Sequence, residues 1–411
     1  MRFTLVTFGS EGDTRPLAAL ARGLMDAGHE VCLFAEGATL ARVRDLGVPC
    51  EALQGDVRSM LPIVDPTTKL KLADVLKVSK GLQNIIAQNM SAWIRTVAAH
   101  ARQSDAILFS SLAFGAGIAV AAELRKPLIG LWFQPVTPTR AFNSPLMQPR
   151  NLPGWANLLT YRLLHRYMWA PYAKPTALAR KEIFGTTSSA RPAFDFPMLY
   201  GISSQLVSEP ADWPKSHRIC GHWSMPADTF SPPDELATFL ADGPPPMYAG
   251  FGTASCFIRR KALTALIDAV AGRRVLFAPG WSKIDNTVLP ANFHLVGNVP
   301  HEWLFPRMSL VIHHGGAGTT HTAARAGVPQ IVLPVGGDQP FWASRAAAAG
   351  IAPGAKPNAR LKASEVARMI DSAHQPGMRE RARAVAAAMA REDGVGTTVK
   401  AIEQTTREAR A

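Results

Sequence analysis

One aspartate lies where the chain could carry out proton chemistry. In "FGSEGDTRP", residues 8–16, two glycines precede Asp13, and a predicted helix follows it directly. A carboxylate at this place could cap the helix, bind a ribose hydroxyl or accept a proton as a general base. Capping alone would stabilise the helix by about 1 kcal/mol. The residues alone leave the three roles open.

A glycine-rich stretch in the second half of the chain predicts a phosphate site. In "VIHHGGAGTTHTAARAGVPQIVLP", residues 311–334, a strand ends at His313 and His314, three glycines follow, and Thr319 opens a helix. The free N–H groups and the positive end of a helix bind phosphate, and a histidine can add a donor. The alternative is a glycine-rich turn between buried histidines.

A carboxylate and an amide follow the next predicted strand. The segment "VGGDQPFWASR", residues 335–345, places Asp338 and Gln339 at the carboxyl end of that strand. Ligands of α/β folds bind at this end. A carboxylate beside an amide can hold sugar hydroxyls through several hydrogen bonds.

The elements that must position these residues alternate between strands and helices. The opening predicts a strand in "RFTLVTF", a helix over "RPLAALARGLMDA" that ends at Gly28, and a strand in "EVCLFA". Further strands are predicted at "DAILFSS", "PLIGLWF", "MYAGFG", "RVLFAP", "FHLVG", "LVIHH" and "PQIVLPV". Apolar runs without strict alternation are typical of parallel sheets that are covered on both faces. The fold class is therefore α/β, with doubly wound sheets.

The length and a proline-rich stretch predict two domains. A chain of 411 residues exceeds what one core usually serves. Residues 223–246 contain six prolines around one short predicted helix, which is typical of a linker. We therefore expect an N-terminal domain over 1–222, a second domain over 247–390 and a helical tail over 391–411, with a cleft between the domains.

Composition restricts the class of partner. The net charge of +13 suits an anionic ligand, an anionic membrane surface or nucleic acid, but no basic block with interleaved aromatics is present, so we expect no nucleic acid. The four cysteines are scattered, which predicts neither a zinc site nor a disulfide framework and fits the cytoplasm. The opening residues predict a strand and no secretory signal. The apolar residues 106–122 are too short and interrupted for a bilayer span, and predict a buried strand, a turn and a helix.

Several motifs resemble one family of enzymes. The block "HHGGAGTT…AGVPQIVLPVGGDQPFW" resembles the donor-binding signature of the family 1 nucleotide-sugar glycosyltransferases of the GT-B fold. The segments "GNVPHEWLFPRMSLVIHHGGAGTT", "GSEGDTRPLAALARGL" and "FQPVTPTRAF" are most similar to the sterol glucosyltransferase and bacterial antibiotic glycosyltransferase branches. The resemblance implies two Rossmann-like domains that face each other, the first for the acceptor and the second for the donor.

The resemblance also assigns roles to residues. His314 would contact the donor diphosphate, Val299 would meet the base through its backbone, and Asp338 and Gln339 would hold the sugar. The full implied donor set is Ser10, Gly12, Thr253, Trp281, Val299, His301, His314, Gly316, Gly318, Thr319, Asp338 and Gln339. Many plant members have Trp and Glu where this chain has Asn298 and Thr322. The donor therefore cannot be taken from the plant enzymes; UDP-glucose is favoured and a dTDP-sugar stays open.

The resemblance makes Asp13 the candidate catalytic base. Many members have a histidine in a Gly-His-x-x-Pro pattern, and this chain has aspartate in Gly12-Asp13-Thr14-Arg15-Pro16, as the sterol and antibiotic branches do. No Asp-x-Asp metal motif occurs in the chain. We therefore expect an inverting transfer without a metal or a resident cofactor, in which the helix start, His314 and Thr319 neutralise the leaving diphosphate.

The acceptor is expected to be a hydrophobic small molecule, such as a sterol, polyketide, flavonoid or lipid. Residues 60–90 and 141–172 are rich in apolar or aromatic side chains, and the implied pocket includes Phe133, Thr137, Phe142 and Trp155. The alternative is that these helices only cover the sheet. Peripheral contact with a membrane surface and the oligomeric state are left open by the sequence.

Three other functions compete with this one. They are a nucleotide-sugar epimerase or hydrolase of similar fold, a dinucleotide-dependent oxidoreductase, and a non-catalytic partner protein that retains the fold. The first βα turn lacks a full Gly-x-Gly-x-x-Gly motif, which disfavours the oxidoreductase.

Overall fold

The chain folds around two parallel β-sheets. The computed structural model describes residues 1–60, 72–186, 192, 194–224, 230–257, 260–280, 289–357 and 361–410. The first sheet has seven strands in the order β3-β2-β1-β4-β5-β6-β7, and the second has five in the order β10-β9-β8-β11-β12. The strand pairs within both sheets are parallel. The predicted architecture of two doubly wound domains is confirmed.

The first sheet and its helices use the N-terminal half of the chain. Its strands are β1 (Arg2–Val6), β2 (Glu30–Glu36), β3 (Cys50–Leu53), β4 (Ala106–Phe109), β5 (Leu128–Trp132), β6 (Met198–Tyr200) and β7 (His217–Ile219). Its helices are α1 (Glu11–Asp26), α2 (Ala41–Asp45), α3 (Leu72–Ala101), α4 (Phe114–Leu124) and α5 (Gly154–Phe184).

The second sheet follows a short helix, α6 (Asp234–Ala241), in the proline-rich segment. Its strands are β8 (Met247–Gly250), β9 (Val275–Ala278), β10 (Phe293–Leu295), β11 (Leu310–His313) and β12 (Gln330–Val332). The remaining helices are α7 (Arg260–Val270), α8 (His301–Leu304), α9 (Ala317–Arg325), α10 (Gln339–Ala348), α11 (Ala363–Ala373), α12 (Pro376–Met389) and α13 (Gly394–Glu408).

Each sheet is buried on both faces, as its uninterrupted apolar strands require. On β1, Phe3 and Leu5 pack into one apolar cluster while Val6 belongs to another, and all three are fully buried. On β11, Leu310 and Ile312 belong to one cluster and Val311 belongs to a second. Helices therefore cover both sides of each sheet, and only the strand ends are available for binding.

The C-terminal tail returns to the first domain. Helix α13 packs against α1, and the indole N–H of Trp223 donates to the Thr398 hydroxyl at 2.7 Å. At the start of this return, the Glu392 carboxylate accepts from the Ser203 hydroxyl at 2.9 Å and the Ser204 amide at 3.1 Å. The last helix thus fastens the second domain to the first.

Two local details differ from the sequence prediction. Helix α1 begins at Glu11 and not near Arg15, because Ser10 caps it and brings Asp13 into the first turn. Strands β3, β6 and β7 were not predicted; β3 contains Glu51 and β7 contains Arg218, so neither forms an uninterrupted apolar run. Within the described ranges, none of the helices combines the length and apolar composition needed to cross a membrane.

Candidate active site

The two sheets direct their ligand-binding edges toward one cleft. In the first sheet the strand order reverses between β1 and β4, and in the second it reverses between β8 and β11. A crevice opens outside the carboxyl ends of the strands at such a reversal. The turns after β1, β8 and β11 line a cleft of about 600 Å³.

The cleft contains most of the residues that the sequence predicted. Its lining includes Asp13 from the first domain, together with Ser10, Gly12, Thr253, Val299, His301, His314, Gly316, Gly318, Thr319, Asp338 and Gln339. Trp281 lies outside the described residues, and so do residues 61–71 of the predicted acceptor segment. The donor residues, drawn from separate turns, are therefore brought together on one surface.

Asp13 belongs to the first turn of α1 and holds that turn in place. Its Oδ2 accepts from the Ser10 amide at 2.8 Å and from the Ser10 hydroxyl at 3.1 Å. The Ser10 hydroxyl oxygen in turn accepts from the Gly12 amide at 3.3 Å, which completes a capping box. Asp13 thus has a structural role in addition to its place on the cleft wall.

Ser111 is the partner of Asp13 that the sequence prediction missed. Its hydroxyl donates to Asp13 Oδ1 at 2.6 Å, so both carboxylate oxygens are held. Ser111 follows β4, the neighbour of β1, and adopts a left-handed φ of +47°. A non-glycine residue in this region is strained, and such strain is concentrated at functional sites. The available signal was the Ser-Ser pair at the end of the predicted strand "DAILFSS".

Two opposing effects set the protonation of Asp13. Burial raises the pKa of its carboxyl, while the hydrogen bonds from Ser111 and Ser10 lower it; burial has the larger effect. Because of the raised pKa, the ionised carboxylate is a stronger base than an exposed aspartate. That property suits a group that must take a proton from a hydroxyl.

The phosphate-type loop lies opposite Asp13 and begins at the end of β11. Gly315 has a φ of +93°, and a Cβ at this residue would lie 2.7 Å from Val332 Cγ1, so the turn requires glycine. Gly316 is the N-cap of α9, whose first turn then points its free amides into the cleft. The loop therefore has the geometry of an anion-binding helix start.

A buried network fixes the strand end behind this loop. The Gly315 amide donates to His313 Nδ1 at 3.1 Å, so His313 Nε2 carries the proton and donates to Gln330 Oε1 at 2.8 Å. Gln330 then donates to the Thr320 carbonyl at 3.0 Å. Burial lowers the pKa of His313 to about 3 and keeps it neutral. His313 is thus a structural residue, while its neighbour faces the cleft.

His314 is the histidine available to a ligand. Burial lowers its pKa to about 4, so it is neutral near pH 7. Among the described residues no hydrogen-bond partner reaches its buried Nδ1. Its Nε2 would lie 2.7 Å from a Cβ at residue 316, which explains why glycine follows. A neutral imidazole with an unsatisfied nitrogen beside a helix start can donate one hydrogen bond to a bound anion.

The far end of the cleft is built from the turns after β8 and β10. Gly252 has a φ of +52° and precedes Thr253. On the other side, His301 contacts the Tyr248 hydroxyl at 3.2 Å and stacks on Phe305 with ring centroids 4.4 Å apart. His301 is therefore held rigidly as a wall of the cleft, and burial lowers its pKa to about 3.

One hydrogen bond bridges the two domains across this end. The Arg15 guanidinium donates to Asn298 Oδ1 at 3.3 Å, and it lies 3.3 Å from the Glu11 carboxylate. Asn298 and Thr322, the two positions where this chain departs from many plant family members, both line the cleft. These departures therefore alter the surface that a nucleotide would contact.

Asp338 and Gln339 lie side by side but differ in what they offer a ligand. Asp338 Oδ2 accepts from the indole N–H of Trp342 at 2.8 Å, and burial raises the pKa of its carboxyl. Gln339 Oε1 accepts from the amides of Val335 at 2.7 Å and Gly336 at 3.1 Å. The amide oxygen of Gln339 thus supports its own loop, and its NH₂ group is the part that can face a sugar.

The predicted acceptor residues separate in the structure. Phe133 lines the cleft. Thr137 is buried behind it, where its hydroxyl contacts Tyr200 and lies 2.7 Å from His217 Nδ1. Phe142 packs on Phe341, with ring centroids 5.6 Å apart. Trp155 is 71% exposed on α5.

Of the four predicted acceptor residues, Phe133 is the one in the lining of this cleft, and an acceptor role for Thr137, Phe142 and Trp155 stays a prediction. Gln134, His222 and Trp223 of the same domain also line the cleft and were not predicted.

Comparisons with known proteins agree with this geometry. The profile of the family "Erythromycin biosynthesis protein CIII-like, C-terminal domain" matches residues 264–404. A "Sterol 3-beta-glucosyltransferase" from Aspergillus fumigatus is 30% identical over 98% of this chain, and the chain spans 30% of that protein's length. A protein of the same description from Arabidopsis thaliana is 28% identical over 98% of this chain and 68% of its own length.

Solved structures with the same architecture cover the whole chain. The glycotransferase of kitacinnamycin superposes with a TM-score of 0.72 at 16% identity, over 98% of this chain and 99% of that one. The glycosyltransferase VinC, solved in complex with dTDP, superposes with a TM-score of 0.65 at 20% identity, over 99% of this chain and 100% of that one. The two facing parallel-sheet domains and these superpositions show that the chain has the GT-B fold, and its sequence is similar to sterol 3-beta-glucosyltransferases over nearly its whole length.

Proposed function

We propose that the protein transfers a hexose, with inversion, from a nucleotide sugar to a hydroxyl of a hydrophobic small molecule, and that the favoured donor is UDP-glucose. The observation that carries the proposal is the arrangement of one cleft. A half-buried carboxylate, Asp13, lies on one wall, and the start of helix α9 with His314 lies on the other.

The two walls would carry out the two halves of an inverting displacement. The acceptor oxygen attacks the anomeric carbon from the face opposite the diphosphate, and the carbon–oxygen bond to the diphosphate breaks. Asp13 takes the acceptor proton as the new bond forms. Because a carboxylate is a weak base for a hydroxyl, the proton moves late, when the acceptor oxygen has become acidic. Inversion follows because attack and departure occur on opposite faces.

The leaving diphosphate would be stabilised by the opposite wall. The first amides of α9, the His314 imidazole and the Thr319 hydroxyl line the cleft, and in the proposed mechanism they face the developing negative charge. Because these donors are already in place, we propose that no metal ion is required. Asp338 and the NH₂ group of Gln339 would hold the hexose hydroxyls.

The choice of donor and acceptor rests on the relatives. The similarity to proteins described as sterol 3-beta-glucosyltransferases supports glucose and an apolar acceptor. VinC was solved with dTDP, so a dTDP-sugar is the competing donor. Asn298 and Thr322, which line the cleft, are the residues to examine for this choice.

The proposal is tested by product formation. Wild type and Asp13→Asn are incubated with UDP-glucose or dTDP-glucose and a panel of sterol, flavonoid and macrolide acceptors, with EDTA and with added Mg²⁺. We expect a β-glucoside from wild type, equal rates with and without EDTA, and UDP-glucose as the better donor. The anomeric configuration is read by NMR coupling.

Other outcomes assign other functions. Release of UDP or an epimerised sugar without any acceptor would indicate a hydrolase or epimerase. Tight UDP binding without turnover on any acceptor would indicate a non-catalytic partner protein. A rate that requires Mg²⁺ would overturn the metal-independent mechanism while leaving the transfer itself intact.

A further inference from the structure

Helix α5 is apolar on its outer side as well as its inner side. Its inner side buries Tyr161, Leu164, Trp169 and Tyr172 against the first sheet's core. The large apolar side chains that are exposed among the described residues all fall within or just before this helix: Leu146, Met147, Trp155, Leu159, Leu163, Tyr167 and Leu178, exposed by 39–71%. A helix that is apolar all round normally meets a second apolar phase.

Four of these exposed residues lie along one side of α5. Trp155, Leu159, Leu163 and Tyr167 follow each other at four-residue spacing, which aligns them along one side of a helix. Leu146 and Met147 lie in the loop that leads into the helix. We call the six residues Leu146, Met147, Trp155, Leu159, Leu163 and Tyr167 the α5 outer face.

Positive charge surrounds the α5 outer face. Arg162, Arg166 and Lys174 are exposed on the same helix, interleaved with its apolar residues. Residues 124–181 contain nine Lys or Arg and no Asp or Glu, although the whole chain has 31 acidic residues. Of these nine, Arg180 is paired with Glu123, and the surface therefore combines exposed apolar groups with an excess of positive charge.

We propose that the α5 outer face lies on an anionic lipid bilayer. Apolar side chains enter the acyl region, tryptophan and tyrosine occupy the interface, and arginine and lysine reach the headgroups. Basic residues near an anionic membrane are attracted to its surface. This mode of binding needs one amphipathic surface and no membrane-spanning helix.

Charge also argues against the main alternative, a second copy of the chain. A two-fold contact through this face would place each subunit's Arg162 and Arg166 against the same basic surface of its partner. The acid-free stretch offers no counter-charge within such a contact. An anionic bilayer supplies that counter-charge and an apolar phase together.

If the proposed function holds, membrane docking through the α5 outer face would serve it. The chain runs from Phe133 in the cleft wall, through Leu146 and Met147, to the start of α5. An apolar acceptor that resides in the bilayer would then lie next to the domain that is to receive it. Docking itself does not depend on catalysis, so its test uses no donor or acceptor.

Vesicle flotation tests the proposal with the full chain. Wild type is mixed with vesicles of phosphatidylcholine alone, or of phosphatidylcholine with 30% phosphatidylglycerol, at 100 mM NaCl. Two variants are compared: Leu159→Ser with Leu163→Ser, and Arg162→Glu with Arg166→Glu. The matched control is Arg379→Glu with Arg383→Glu, which changes the same charges at the same spacing on the exposed side of α12.

We expect wild type and the control to bind the anionic vesicles equally, and each α5 variant to bind at least tenfold more weakly. Circular dichroism and thermal melting should match wild type for all of them, since every altered side chain is exposed. If the control and the Arg162/Arg166 variant lost vesicle binding equally, only the net charge of the protein would determine binding, and this would overturn the proposal. Absence of wild-type binding would also overturn it, as would a dimer in sedimentation that the α5 variants dissociate.

Discussion

The two walls of the cleft are built in different ways. The wall on which we propose that the donor binds, called the donor wall, comes largely from residues 313–339, in which a strand end, a glycine turn, a helix start and the loop of Asp338 follow each other. The opposite wall, called the acceptor wall, combines Asp13, Phe133 and His222 from three separate segments, and Ser111 from a fourth segment supports Asp13. A diphosphate is the same in every donor and suits a continuous motif, whereas acceptors differ and are met by side chains from several loops.

The electrostatics of the two walls differ as well. The acceptor wall holds a carboxylate whose pKa is raised by burial, and the donor wall holds imidazoles whose pKa values are lowered by burial. Both shifts favour the neutral form of the group. In the proposed mechanism, the donor wall binds an anion through fixed dipoles, while the acceptor wall takes up a proton.

The largest effect should come from the acceptor wall. Asp13→Asn keeps the hydrogen-bond acceptor for the Ser10 amide but removes the base, so we expect kcat to fall by about 100-fold or more. The dissociation constant for UDP should stay within about twofold of wild type, because the diphosphate site is on the other wall. Steady-state kinetics and isothermal titration calorimetry measure the two quantities.

Asp26→Asn is the matched control for this change. Asp26 ends the same helix, is exposed and pairs with Arg22, so its loss should leave kcat and UDP binding at wild-type values. If Asp13→Asn retained near wild-type rates, Asp13 would serve only in the capping box. The base would then have to be sought elsewhere on the acceptor wall.

The difference between the two walls also explains which residues of the candidate site could be predicted from the sequence. The donor wall was predictable because its residues are neighbours in the chain, and the pattern of strand, glycines and helix is local. Ser111 is 98 residues from Asp13, and the two meet only because β4 pairs with β1. Finding it required a strand order, which hydrophobic pattern does not specify.

The buried and exposed residues of helix α5 could not be told apart from the sequence, for a different reason. Its residues are apolar on every side, so periodicity could not separate the buried Trp169 from the exposed Trp155. The acceptor residues predicted from the sequence include Phe133, which lines the cleft, and Trp155, which is exposed on α5. Only tertiary packing determines which residues of the helix face the core and which face the solvent.

The second largest effect should come from the donor wall. His314→Ala removes the donor beside the start of α9, and we expect UDP to bind about tenfold more weakly and kcat to fall by 10- to 100-fold. His374→Ala at the C-cap of α11, outside the cleft, is the control. Unchanged UDP affinity in His314→Ala would separate this imidazole from the diphosphate and weaken the proposed division between the walls.

A smaller effect should follow from adding a side-chain methyl group at the start of α9. A Cβ at Gly318 would meet no protein atom within 4 Å, so Gly318→Ala should fold normally. Because that space faces the cleft, the methyl should hinder the diphosphate and weaken UDP binding about tenfold, with a smaller change in kcat than His314→Ala gives.

The matched control for Gly318→Ala is Gly377→Ala. Gly377 is also the second residue of a helix, α12, and a Cβ there likewise meets nothing within 4 Å. Both substitutions should hold or slightly raise the melting temperature, since alanine favours helix over glycine. If both lowered UDP affinity, or neither did, close approach of the ligand to Gly318 would be excluded.

The smallest effect should come from Ser111, which positions Asp13 and does not contact the reacting atoms. Its hydroxyl donates to Asp13 Oδ1 and stabilises the ionised carboxylate, so it lowers the pKa of that group. Ser111→Ala removes this stabilisation and raises the pKa further. The base must be ionised to act, so the acid limb of the kcat–pH profile should move to higher pH.

This shift separates a positioning role from a merely structural one. A hydrogen bond worth about 1 kcal/mol corresponds to about a fivefold loss of kcat on the acid limb, while the rates of Ser111→Ala and wild type should converge at alkaline pH. Ser91→Ala removes a similar serine-to-carboxylate bond, 2.7 Å to Glu182 on the exposed surface, and should leave the profile unchanged. A loss of kcat that is uniform from pH 5 to 9 would show that Ser111 acts on geometry alone, because only a change in the pKa of Asp13 makes the loss depend on pH.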